Sequence, residues 1–214
     1  MVKLFLDIET LPGNESLKEE IADRIAPPGN MTKEETIKKW EENTKPLKVE
    51  EEYRNTALKG EYGRILCIGY IKETDSGITQ GVITGSEPEI LEKFWDVAKD
   101  VNLFIGYNIL DFDLKFIIQR SIIHKVKPSQ EFDFARYRSY PIYDVMHEWA
   151  MWSRDTVGLD TLTKALGFES PKTELDGSKV YDYHKAGRDQ EIYDYCMRDV
   201  EATRKIYKRM NFIE

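Results

Sequence analysis

Cysteine, histidine and long apolar runs are all scarce in this chain. Only two cysteines, Cys67 and Cys196, occur in 214 residues, and neither belongs to a paired metal-binding spacing. That excludes a disulfide framework or a zinc ribbon and leaves two buried, reduced thiols. The three histidines, His124, His147 and His184, are scattered and read as structural or surface residues. No window approaches the ~18 consecutive apolar residues of a membrane-spanning helix. Asp7 cuts the first apolar run too early for a secretory leader. The expectation is a soluble, cytoplasmic protein with no membrane partner. A basic surplus is missing too, since the net charge is −8. This excludes attraction to nucleic acid through bulk charge, although local basic patches stay open.

What the chain does contain is enough apolar material for a sizeable core, 41% hydrophobic and 12% aromatic. We expect one domain over 1–214 with a charged helical insert at about 13–62. From Pro12 to Gly63 the sequence carries twelve acidic and nine basic residues, broken at "APPGN". The following "TKEETIKKWEEN" offers Thr32 and Glu35 as a capping box, so the insert reads as two surface helices. Its acidity argues against a role as the main nucleic-acid grip. Trp40 and Tyr53 are expected to pack it rather than stack bases.

Around the insert, residues 2–8 read as a strand and 64–72 with 77–85 as a hairpin. Residues 87–100 form an amphipathic helix with Ile90, Leu91, Phe94, Trp95 and Ala98 on one face. A buried strand at 101–108, a helix at 113–123, a short strand entering a helix near "YPIYDVMHEWAMW", a helix at 159–167 stopped by Gly167, and a long helix from about Arg188 to Met210 follow. This order predicts an α/β fold, a mixed sheet flanked by helices.

Three places put carboxylates where apolar residues belong. Asp7 and Glu9 interrupt the run "VKLFLDIETLPG", and on a strand they point to the same face. A buried face accepts two anions only when a cation compensates them. Alone the spacing says little, because it recurs at Asp189 and Glu191 on a solvated helix start. In "IGYNILDFDLKFI" a buried strand ends at Asn108, and Phe112 and Asp113 lead into a helix, at the strand end where α/β sheets place their sites. The competing reading makes Asp113 or Asp111 a helix cap. In "IYDYCMRDVEATRKIY" Tyr195 and Asp199 stand side by side at i and i+4. They share the face of Ile192, Cys196, Val200, Thr203, Ile206 and Tyr207. The same spacing at Tyr107/Asp111 and Tyr140/Asp144 cannot be a regular helical pair, the first straddling a strand end and the second containing Pro141. One explanation covers all three oddities: Asp7, Glu9, Asp113 and Asp199 converge over the sheet and hold two divalent metals, Mg²⁺ or Mn²⁺, with Tyr195 placed to orient or help deprotonate an attacking water.

"FLDIET", "NILDFD" and "YCMRD", in that order, resemble the three motifs of the DnaQ-like 3′–5′ exonucleases of the ribonuclease H-like fold. Asp194 stands where the histidine branch would have histidine, so the tyrosine branch (DEDDy) is the match. The chain looks most like the predicted exonucleases related to the proofreading domain of family B DNA polymerases, over 1–12 and about 64–210. The resemblance implies a five-stranded mixed sheet. It implies that Asp7, Glu9 and Asp199 bind a catalytic metal, Asp7 bridging to a second ion supported by Asp113. It also implies that Tyr195 positions the nucleophile, and that Asn108, Phe112, Thr10 and Leu11 contact the terminal nucleotides. Tyr107 departs from the histidine many relatives carry, which bears on substrate grip.

The expected substrate is the 3′ end of nucleic acid, single-stranded DNA first. The alternatives are an RNA-directed 3′–5′ exoribonuclease and a catalytically weak nucleic-acid-binding or assembly module; protein partners stay open. Lys125, Lys127, Lys172, Lys179 and Arg188 are candidate phosphate contacts. Arg204, Lys205, Lys208 and Arg209 read instead as a solvated face near a helix C-terminus.

Overall fold

The computed structural model describes residues 1–171 and 174–213, so Lys172 lies outside the described residues. The chain forms two compact units, Met1–Glu9 with Ile65–Glu214, and Thr10–Arg64.

The larger unit is built on a five-stranded sheet in the order β3-β2-β1-β4-β5. The strands are β1 (Lys3–Leu11), β2 (Arg64–Thr74), β3 (Gly77–Ile83), β4 (Leu103–Gly106) and β5 (Ile142–Asp144). β1 runs parallel to β4, with Phe5 opposite Ile105, and β4 parallel to β5. β2 and β3 form the expected antiparallel hairpin, closing at Thr74 and Gly77. The sheet is therefore mixed and flanked by helices, the ribonuclease H-like α/β arrangement.

Both faces of β1 are covered. Leu4, Leu6 and Ile8 pack with Ile90, Leu91, Phe94 and Trp95 of α4 (Glu87–Ala98) and with Leu114, Phe116 and Ile117 of α5 (Asp113–His124). Phe5 joins Leu103, Ile105, Val200, Ile206 and Tyr207 in a second cluster, the last three from α9 (Asp189–Met210). Strand side chains alternate between faces, so Asp7 and Glu9 share the α9 side with Phe5. The stripe read on α9 is buried along its length. Gly69 of β2 allows that helix its close approach. A Cβ there would lie 2.8 Å from Cys196 Sγ and 3.3 Å from Val200 Cγ2.

The smaller unit carries three helices, α1 (Leu17–Arg24), α2 (Glu34–Asn43) and α3 (Lys45–Asn55), where two were expected. Pro46, in the first turn of α3, starts a new helix because its missing N–H costs nothing there. The capping box expected at Thr32 and Glu35 does not form. Lys33 is the N-cap of α2, which leaves Thr32 one residue too early. The capping box that does form is Ser86 with Glu89, at the start of α4. Trp40 and Tyr53 are buried, and the Tyr53 hydroxyl donates to the Gly13 carbonyl at 3.1 Å, so neither ring is presented for stacking.

Past β5 come α6 (Val145–Trp149), α7 (Leu159–Ala165) and α8 (Val180–Lys185). Gly167, with φ +77°, ends the α7 segment as its position suggested. The six-residue α8 was not foreseen, since one and a half turns leave no readable periodicity. No helix among the described residues is long and apolar enough to cross a membrane.

Candidate active site

Three elements of the larger unit deliver carboxylates to one place. β1 presents Asp7 and Glu9, α9 presents Tyr195, Cys196 and Asp199, and α5 opens on Asp113. Asp113 is 2% exposed, and its Oδ1 accepts the Ile8 N–H at 3.0 Å, between the two acids of β1. The capping alternative is not adopted. Phe112 is the N-cap of α5 with no side-chain cap. Asp111 turns away to Arg136 at 2.9 Å and His147 at 3.3 Å.

The electrostatics of this cluster are one-sided. Burial lifts the Asp7 carboxyl well above the ordinary range, and the charges of Asp113, Glu9 and Asp199 lift it further, opposed by a hydrogen bond from Cys196. Glu9 is raised likewise by burial, then by Cys67, Asp199 and Asp113. Burial pushes Asp113 up to about 7 against hydrogen bonds from its own and the Ile8 backbone, with Asp144 adding to the rise. The Tyr195 hydroxyl is driven far above the tyrosine range by burial, by the charges of Asp199, Glu9 and Asp7, and by its hydrogen bond with Asp199. It therefore stays protonated.

Asn108 adopts φ +63°, a left-handed conformation that asparagine tolerates better than most residues. Its N–H donates to Asp144 Oδ1 at 3.1 Å, and the Leu110 N–H to Asp144 Oδ2 at 3.1 Å. Asp144 is fully buried and also accepts the Met146 and His147 N–H groups. Phe112 is half-buried, its N–H on the Asn108 carbonyl at 3.0 Å and its ring 5.6 Å from Phe116. Tyr107, the departure noted in the sequence, donates its hydroxyl to the Val157 carbonyl. Thr10 and Leu11 are buried residues of the smaller unit, where the Thr10 hydroxyl donates to the Ala57 carbonyl at 2.7 Å.

Two residues of this neighbourhood escaped the sequence reading. Cys196, taken only as a buried thiol, lies with Sγ 3.4 Å from the Asp7 carbonyl and 3.5 Å from Asp7 Oδ2. One ligand atom each from Asp7, Glu9 and Cys196 falls within 4.8 Å of the others. A hydrogen bond with Cys67, followed by burial, raises its thiol pKa. Its position beside Tyr195, on the apolar stripe, was the available signal. Asp144 was dismissed with its tyrosine spacing; a lone carboxylate at an apolar strand-to-helix junction was the clue.

Several basic candidates are already engaged. Arg188 pairs with Glu191 at 2.6 Å and lies over the Tyr183 ring. Lys179 donates to the Glu174 carbonyl at 2.6 Å. Arg204 and Lys208, read as part of a solvated face, instead share Glu73, with the Arg204 side chain only 17% exposed. His184 pairs with Asp189 at 2.8 Å.

Residues 56–214 match a family described as a predicted 3′–5′ exonuclease related to the exonuclease domain of PolB. The chain belongs to that family. No curated protein matches it. Within this PolB-related exonuclease family, the matched segment contains Asn108, Phe112, Asp113, Tyr195 and Asp199 but begins after Asp7 and Glu9. The pair on β1 joins the others through the sheet: the register that sets Phe5 against Ile105, and the Asp113 bond to Ile8.

Proposed function

We propose that this protein is a metal-dependent 3′–5′ exonuclease that hydrolyses the terminal phosphodiester of single-stranded nucleic acid, DNA foremost, and releases nucleoside monophosphates. The observation that carries this reading is the convergence of half-buried Asp7 with buried Glu9, Asp113 and Asp199, where Asp113 and Asp199 raise both acids of β1 and Glu9 raises Asp7 further. Carboxylate oxygens are the donors that hard divalent ions take, and such a buried set is tolerable when cations compensate it. The donor set therefore fits Mg²⁺ or Mn²⁺. Asp7, Glu9 and Asp199 would hold one ion, and Asp7 and Asp113 a second. When bound, such a pair supplies charge stabilisation for the attacking and leaving oxygens of an in-line displacement.

The chain's own groups do the positioning. Tyr195 keeps its proton and gives it to the Asp199 hydrogen bond, which leaves its oxygen lone pairs to accept from a water. It orients that nucleophile and does not serve as its base. Asn108, held by Asp144, offers its amide to the terminal nucleotide, and Phe112 offers the free part of its ring. Product-resolved digestion of 3′- and 5′-labelled DNA and RNA tests the proposal, with Mg²⁺, Mn²⁺ or chelator. Shortening from the 3′ end that needs metal and vanishes in Asp7→Ala is expected. No shortening with either metal on either polymer overturns it, and comparison of the two polymers decides DNA against RNA.

A further inference from the structure

The loop between α5 and β5 contains "DFARYRSY" (133–140), in which two arginines alternate with three aromatic residues. Tyr137 is 75% exposed, Tyr140 60% and Phe134 37%. Arg136 and Arg138 stand out in solvent beside them, each in one exposed pair, with Asp111 and with Asp133. Exposed pairs of this kind contribute little and exchange readily for another anion. In a chain of net charge −8, residues 125–140 carry four basic side chains against two acidic ones. Rings held in water among exchangeable cations suit single-stranded nucleic acid, whose bases stack and whose phosphates need charge.

The loop is also joined to the candidate active site. Arg136 Nη2 donates to Asp111 Oδ1 at 2.9 Å, and Asp111 lies between Asn108 and Phe112 in the chain. A cavity of about 270 Å³ opens among Leu110, Asp111, Lys115, Phe134 and Arg136. The Tyr137 ring is set 5.2 Å from Trp152, and Tyr137, Met151 and Trp152 all take left-handed φ values of +65°, +49° and +59°. Such conformations cost energy in residues other than glycine and persist where the surroundings enforce them. The exposed ring of Tyr137 is thus held in place.

We propose that residues 134–140 grip single-stranded nucleic acid. Tyr137, Tyr140 and Phe134 stack on bases, Arg136 and Arg138 hold phosphates, and the strand passes from them to Asn108 and Phe112. The last step rests on the exonuclease reading; the grip itself does not.

The test measures binding without cleavage, on full-length protein carrying Asp7→Asn, by anisotropy of a fluorescein-labelled oligothymidylate of about 12 nucleotides, a usual single-strand site size. Adding Tyr137→Ala with Tyr140→Ala is expected to weaken binding ~10-fold or more, and Tyr137→Trp with Tyr140→Trp to restore it. Adding Arg136→Ala with Arg138→Ala is expected to flatten the salt slope of log K by about 1.4, or ~0.7 for each phosphate released. Binding of a labelled dinucleotide stays unchanged. Variants with parental circular dichroism that bind the long strand as tightly as Asp7→Asn alone overturn the proposal. So does an Asp7→Asn protein that binds no single strand, which would leave the patch to a protein partner. If the long strand binds through this loop and the unsubstituted chain cleaves nothing, the grip stands and the exonuclease reading fails.

Discussion

Two groups of charge in the larger unit are treated in opposite ways. On one side Glu87 receives Arg120 through two hydrogen bonds of 2.8 and 2.7 Å, the Ile65 N–H at 2.8 Å and His124 at 2.7 Å. Burial pushes the Glu87 pKa up, but Arg120, the Ile65 amide and His124 outweigh it and hold the carboxyl below its usual range. On the other side Asp7, Glu9 and Asp113 are held above theirs, with other carboxylates as the charges acting on Asp7. A fold that neutralises Glu87 so fully has the means to neutralise Asp7 and does not use them. The first group is finished as a piece of structure; the second, on the proposed function, is one that a cation would complete.

Removing single members should separate the two groups most sharply. Asp7→Ala or Asp199→Ala should lower the hydrolytic kcat by on the order of a thousandfold or more, as loss of an essential group does. The metal-free protein should melt no lower, because a repelled buried charge has gone. Arg120→Met should do the reverse. It strands Glu87 and costs ~3–5 kcal/mol of stability, while kcat per folded molecule holds. Steady-state kinetics beside thermal melting of each variant checks both halves.

Gly69→Ala comes next. The added methyl would press on Cys196 and Val200, and overpacking of this kind costs ~1–3 kcal/mol. It displaces α9 and with it Asp199, so Mn²⁺ affinity should fall, while the Glu87 group is untouched. Isothermal titration with Mn²⁺ reads this directly. Tyr195→Phe is the mildest change. It removes the hydroxyl proposed to orient water and leaves the four carboxylates, so kcat should fall by roughly 100-fold, the order that misplacing a reacting group costs. Mn²⁺ binding should be preserved, and a parallel loss of Mn²⁺ binding would show that Tyr195 supports the acids and not the water.

Periodicity made the scaffold readable: α4 and α9 bury the side chains their spacing marked, and the hairpin closes where its turn residues stand. The acids were readable in a different way. Asp7 and Glu9 matched no better than Asp189 and Glu191 until Asp113 and Asp199 were considered with them, because convergence is a property of the sheet and not of any window. What escaped was contact made across the sheet or around a loop. Cys196 reaches Asp7 over 189 positions, and Asp144 reaches Asn108 over 36. The misplaced capping box has a smaller cause, since a shift of one residue at Lys33 turns Thr32 from cap to bystander.

The claim that the acidic cluster awaits a cation is tested most directly by melting the full-length protein across pH, with chelator and with Mn²⁺. Asp113 sits at about 7 in the folded chain and near the ordinary carboxylate value when unfolded. Between those values the folded state binds more protons, so stability falls as pH rises through the window from about 4 to about 7. Glu87 and Glu73, held low, give up stability only as pH falls below the usual carboxylate range, outside that window. The chelated protein should therefore melt lower at about pH 8 than at about pH 5.5. Mn²⁺ should restore it at the higher pH, and Asp7→Asn should weaken both responses. A melting temperature flat across that range and unmoved by Mn²⁺ would contradict the account.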